Sequence, residues 1–230
     1  MSQLASAASK AARAAARALQ TETRRTIEIR GLPKTALPSD VRRLCVGARV
    51  ENIASVAIDY DRFIPSGSAW VTVTNPIHLR KAVQNLHGAV IAGHPVSAAP
   101  VSDTGRDAVS RMRGARGREE AAQRGVINGN GPNGGVTGGG KNVVIYGLPG
   151  KMTEEATGYF LQSFKLAGSA DDKDIVKLDV PLGALSLTSK FFVRLETEAE
   201  AYRLVRKLHE TYYEPDVFDK RYRVRAQVIH

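Results

Sequence analysis

The chain has one cysteine, Cys45, among 230 residues. No intrachain disulfide can form, and no zinc cage can be built from cysteine. The five histidines (His78, His87, His94, His209 and His230) are scattered, with no pair at metal-binding spacing. No apolar run approaches the roughly 18 residues of a membrane-spanning helix. Aromatic residues make up only 6% of the chain, with a single tryptophan, Trp70. No nucleophile–base set stands out, so nothing points to an enzyme, a metal or a cofactor. Acids are scarce at the start: none precedes Glu22.

What is present is basic charge. Lys and Arg exceed Asp and Glu by ten, which points to a polyanionic partner. The excess is uneven: net +4 over residues 1–26, +3 over 27–101, +2 over 102–140 and +1 over 141–230. Any electrostatic footprint in the last segment must therefore come from local arrangement.

Residues 1–25 form a basic, alanine-rich extension. Alanine favours helix. Lys10, Arg13 and Arg17 share one helical face, and Leu4, Ala8, Ala11, Ala15 and Ala18 share another. An acid-poor, Arg-bearing amphipathic start has the composition of a mitochondrial transit peptide. A cut near Ala18–Leu19 would leave Arg17 two residues before the bond. The alternative reading is a solvated basic helical arm that can touch RNA.

Two segments flank a stretch, 102–140, with eleven glycines, six arginines and no aromatic residue. That composition predicts a flexible linker. It holds Arg113-Gly114 and Arg116-Gly117, a thin version of an RG-rich RNA-binding tract. Gly135–Lys141 imitates a phosphate-binding loop, but it leads into a strand and lacks the closing Ser or Thr.

The flanking segments, 26–101 and 141–230, repeat one pattern. TIEIRGL (26–32) and NVVIYGL (142–148) read as strands ending in a turn. Helix starts follow at Ser39-Asp40 and at Thr153, the second helix running through Leu166. Strands are expected at Ile53–Tyr60 and Ala69–Thr74, then at Ile175–Val180 and Phe191–Leu195. The second helices carry buried stripes at matching spacing: Leu79, Ala82, Val83 and Leu86, then Ala201, Leu204, Val205 and Leu208. Final strands are expected around Pro95–Val101 and Tyr222–Val228. The order βαββαβ, twice, predicts an α+β chain of two ferredoxin-like domains. Each has a four-stranded antiparallel sheet with helices on one face.

On these residues the chain resembles the RNA recognition motif (RRM) family, once on each side of the linker. The family's octapeptide falls on Ser66–Val73, where Gly67, Ala69, Trp70 and Val71 fit, and on Thr188–Leu195, where Phe192, Val193 and Leu195 fit. Alternation turns Ser68, Trp70 and Thr72 outward in the first domain, together with Glu28 and Arg30. In the second it turns out Lys190, Phe192 and Arg194, with Tyr146 on the first strand and Arg221, Arg223 and Arg225 along the last. The family usually carries an aromatic where Glu28 and Val144 stand.

The resemblance implies a non-catalytic protein that binds single-stranded RNA on the open sheet faces. Stacking would fall to Trp70, Phe192 and Tyr146. Polar and phosphate contacts would fall to Arg30, Thr72, Lys190, Arg194, Arg221, Arg223 and Arg225. Its expected setting is RNA processing, stability or translation. With the N-terminal segment read as targeting, that setting is the mitochondrial matrix; otherwise it is the nucleus or cytoplasm. The competing expectation is a structural subunit of a ribonucleoprotein assembly whose domains bind protein partners.

Overall fold

In each half, the residues expected to face inward are those that leave solvent. Ile27, Ile29, Ala69, Val71 and Val73 are fully buried in the first, as are Val143, Ile145, Phe191 and Val193 in the second. The computed structural model describes residues 25–101, 127, 129–136, 138–168, 173–178 and 186–230. Residues 1–24 of the N-terminal extension and the Arg-Gly pairs lie outside the described residues. The chain divides into two units, 1–135 and 136–230.

The first unit contains β1 (Thr26–Arg30), α1 (Pro38–Gly47), β2 (Ile53–Asp61), β3 (Ile64–Val73), α2 (Leu79–Leu86), a small hairpin of β4 (Val90–Ile91) and β5 (His94–Pro95), β6 (Ser97–Val101) and β7 (Gly131–Pro132). The sheet order is β6-β1-β3-β2-β7. Helix α1 starts one residue earlier than expected, at Pro38, whose fixed φ suits the first turn. The Asp40 carboxylate there accepts from the Leu37 amide at 3.0 Å. Val41 and Cys45 face the core. Burial pushes the Cys45 thiol up to about 11.

The second unit contains β8 (Asn142–Pro149), α3 (Glu154–Phe160), β9 (Ile175–Leu178), β10 (Thr188–Arg194), α4 (Glu198–Leu208), the single turn α5 (Pro215–Phe218) and β11 (Arg225–Ile229), in the order β11-β8-β10-β9. All its strand pairs are antiparallel. The ferredoxin-like order, last-first-third-second, is thus present twice. Thr153 caps α3 by accepting from the Ala156 amide at 3.2 Å. This helix stops at Phe160, short of the expected Leu166. At Leu161 ψ moves to 8°, and the next bonds tighten to three-residue turns, Gln162 to Tyr159 and Phe164 to Leu161.

Two departures from the sequence reading matter for function. The last strand begins at Arg225, so Arg221 and Arg223 precede it rather than alternate along it. The stretch 102–140 is not spacer throughout, because Gly131–Pro132 adds a fifth strand to the first sheet beside β2. It does this with backbone pairing, which needs no apolar side chains of its own.

Gly147 shows how the second unit is closed. Its φ is 88°, and a Cβ there would overlap the Arg223 carbonyl oxygen. Gly147→Ala is expected to destabilise the unit by about 2 kcal/mol or more. Gly139→Ala, which meets nothing within 4 Å, serves as the near-neutral comparison in urea unfolding. Cys45 is expected to resist iodoacetamide at pH 8, since only about one thiol in a thousand is ionised there.

Candidate nucleic-acid interface

In the first unit, β1 pairs with β3 so that Glu28 stands opposite Trp70, Arg30 opposite Ser68 and Thr26 opposite Thr72. β6 brings Ala99 beside Glu28 and Ser97 beside Arg30. Trp70 and Thr72 are half-buried on the face away from the helices, as alternation requires. Arg30 is paired in two places: its Nε donates to Glu28 Oε1 at 2.9 Å, and its Nη2 to Oε2 at 2.8 Å. Trp70 is also held, its indole N–H donating to Asp59 Oδ1 at 3.3 Å. Asp59 is only 7% exposed and accepts from the Ser66 hydroxyl at 2.7 Å through its other oxygen. This face offers one aromatic surface, with Arg30 engaged by a carboxylate, so it attracts a phosphate chain only weakly.

The second unit has a different face. Arg225 on β11 and Lys190 on β10 flank Tyr146 on β8 in one register row. Lys190 Nζ sits 5.3 Å from the Tyr146 ring centroid. Lys190 and Arg225 are exposed and Tyr146 is half-buried. An aromatic surface between two cations can stack a base and hold its flanking phosphates. Arg223 and Arg225 share one carboxylate, Glu210. Arg223 Nη2 pairs with its Oε2, and Arg225 Nε lies 3.3 Å from its Oε1. Arg221 stands apart from the row, its guanidinium 5.9 Å from the Tyr222 ring.

Phe192 does not present a platform. It faces away from the helices as expected, opposite Val144 and next to Val176, yet it is 0% exposed. Val144, Asn142 and Ile229 on the same face are closed off as well. Arg194 lies over the Phe192 ring at 5.7 Å. The sequence carries a matching sign. Val143-Val144-Ile145 and Phe191-Phe192-Val193 are continuous apolar runs, the mark of strands buried on both faces. The open part of the sheet is therefore the end that carries Tyr146, Lys190 and Arg225.

Both units have the ferredoxin-like fold, as their sheet orders show. No family model matches the chain, and no curated protein matches it. Among solved structures it is similar to a Sex-lethal protein/RNA complex, at 13% identity over 90% of this chain and 99% of that one, TM-score 0.31. It is also similar to Sex-lethal RNA recognition domains 1 and 2 from Drosophila melanogaster, at 13% identity over 88% and 98%, TM-score 0.30. A third is the N-terminal three RNA binding domains of the yeast splicing factor Prp24, at 14% identity over 91% and 67%, TM-score 0.29. Likenesses this weak add nothing to the sheet order itself, from which the fold is read.

Asp59 and Glu210 are the site residues that sequence reading missed. Asp59 carried a faint signal, a carboxylate between Ile58 and Tyr60 in a buried strand. Glu210 carried none, because only the folded loop brings it beside Arg223 and Arg225. Asp59→Ala would remove the carboxylate that accepts from the Trp70 N–H and leave the exposed Ser66 hydroxyl its weaker bond to the residue-59 backbone carbonyl, at 3.3 Å. It is expected to cost about 1–3 kcal/mol in urea unfolding and to shift the emission of the chain's single tryptophan.

Proposed function

We propose that the chain is a non-catalytic RNA-binding protein that takes single-stranded RNA mainly on the sheet of its second unit. The observation that carries this reading is the row Arg225–Tyr146–Lys190, an aromatic ring between two exposed cations on the side away from the helices. Tyr146 stacks a base. Lys190 and Arg225 hold the phosphates on either side, and Arg223 extends the cationic track. Stacking and charge are both indifferent to base identity, so recognition is sequence-tolerant. The first unit contributes a weaker contact through Trp70, with Arg30 engaged by Glu28. A chain of this kind serves in RNA processing, stability or translation. We further propose that residues 1–20 direct it to mitochondria. That is tested by fusing them to a fluorescent protein, and a diffuse cytosolic signal would refute it.

The test of binding is titration of a short mixed single-stranded RNA with the full chain near physiological salt. Tyr146→Ala is expected to lose about 1–3 kcal/mol, whereas Phe192→Ala should change binding only as far as it loosens the fold. Lys190→Ala with Arg225→Ala is expected to lower the slope of log K against log salt by about 1.4, two phosphates at about 0.7 each. Glu210→Gln and Glu28→Gln should tighten binding, because each releases arginine from a competing carboxylate. Unchanged binding in Tyr146→Ala, with the salt slope also unchanged in the double variant, would take the RNA off this sheet.

A further inference from the structure

The segment Gly129–Gly135 is fastened to the hairpin of β2 and β3 by three sets of hydrogen bonds and closed on itself by a fourth. Pro132 and Gly131 pair with Asp59 and Tyr60 at the β2 edge. The Phe63 amide donates to the Gly129 carbonyl at 2.8 Å. The Arg62 amide donates to Asn130 Oδ1 at 2.8 Å. The Gly129 amide closes the loop on itself by donating to the Gly134 carbonyl at 2.9 Å.

The Phe63 ring, 5% exposed, lies between the two glycines. A Cβ on Gly129 would come within 2.7 Å of Cδ2 and Cε2, and one on Gly134 within 3.2 Å of Cδ1. Gly129, Gly131, Gly134 and Gly135 all have positive φ, between 62° and 84°. The glycines therefore serve shape as much as freedom: they bring backbone flat against a ring and turn where other residues strain. On the other side of the contact, Arg62 and Phe63 hold positive φ of 51° and 65°. That turn is costly for residues with a Cβ, and the bonds its two amides donate to the Gly129 carbonyl and Asn130 Oδ1 hold it in place. The edge of β2, otherwise open to pairing with any strand, is covered.

We infer that Gly129–Gly135 is a clasp that ties the far end of the interdomain segment to the first unit. On the other side, the Gly138 carbonyl already accepts from the Lys141 amide, and the Gly140 amide donates to Ile229 in the second unit. Only Val136 and Thr137 separate the clasp from that bonded stretch. Three links span at most about 10 Å. A free segment of the whole 102–140 would instead span about 31–37 Å root-mean-square. The clasp thus replaces a long tether with a short one. A ligand whose two contacts lie within the reach of the short tether meets the second unit at a local concentration tens of times higher, by roughly the −3/2 power of tether length. Opening the clasp would return the long tether. This device is independent of what the sheet faces bind.

The test uses the full chain labelled with nitrogen-15. In the wild type, the Phe63 and Gly129 amides are expected to exchange at least tenfold more slowly than unstructured amides. Gly129→Val should bring both to unprotected rates and shorten the rotational correlation time of each unit by about a quarter. Phe63→Ala, which leaves the glycines intact, should act in the same direction. Protected amides at Ile27 and Ile29 report that the unit is still folded. A third variant, with twelve Gly and Ser residues inserted between Val136 and Thr137, should shorten the correlation times while Phe63 stays protected. Unprotected Phe63 and Gly129 amides in the wild type would overturn the clasp. Unchanged correlation times in all three variants would overturn its control of the tether.

Discussion

Antiparallel pairing of the first strand with both neighbours is the constraint on which each unit depends. It fixes which side chains share a row on the face away from the helices, and the row decides what that face can do. In the first unit the register sets Glu28 between Ala99 and Trp70. In the second it sets Tyr146 between Arg225 and Lys190. A shift of one residue would send each of these side chains into the core and bring Ile27 or Ile145 to the surface. The burial of the inward set stabilises the register, and the outward set inherits its geometry from it.

The same topology then supports two different surfaces because carboxylates are placed differently. Glu28 and Asp59 take the hydrogen-bond capacity of Arg30 and Trp70 within the first sheet. Exposed ion pairs are worth at most about 1 kcal/mol, so Arg30 can be drawn away by phosphate, but it gains little from the exchange. The buried Asp59 is harder to displace, since it also holds Ser66. In the second sheet Glu210 restrains Arg223 and Arg225 from the edge, and Lys190 faces Tyr146 with no carboxylate among the described residues of its row. The asymmetry follows from single side chains, not from net charge, which is nearly balanced over residues 141–230.

The fold was legible because two independent periodicities agreed in the first half, strand alternation at 26–32 and 69–74 and the helical stripe at Leu79–Leu86. In the second half the helical stripe recurs at Ala201–Leu208, while the strands read from short apolar runs bounded by turns. The site was only half legible. Trp70, Tyr146, Lys190 and Arg225 face where alternation puts them. Phe192 faces correctly but is closed off, at a level where β8 and β10 carry consecutive apolar residues on both faces of the sheet. Arg221 and Arg223 fell outside the strand because the loop after α4, with its own turn at Pro215–Phe218, consumes more chain than a short connection. The glycine-rich stretch misled for a different reason. Its composition is that of a spacer, and its contact is made by backbone against the ring of Phe63, which side-chain periodicity does not register.

The central claim is that RNA lies across Tyr146 on the second sheet. Its most direct test is photocrosslinking of the full chain to a short single-stranded RNA carrying 4-thiouridine, at near-physiological salt, with the attached peptides identified by mass spectrometry. Crosslinks on Tyr146 and its β10 and β11 neighbours are the predicted result. Crosslinks confined to residues 1–25 and 102–128, or to the α3 and α4 side, would contradict it.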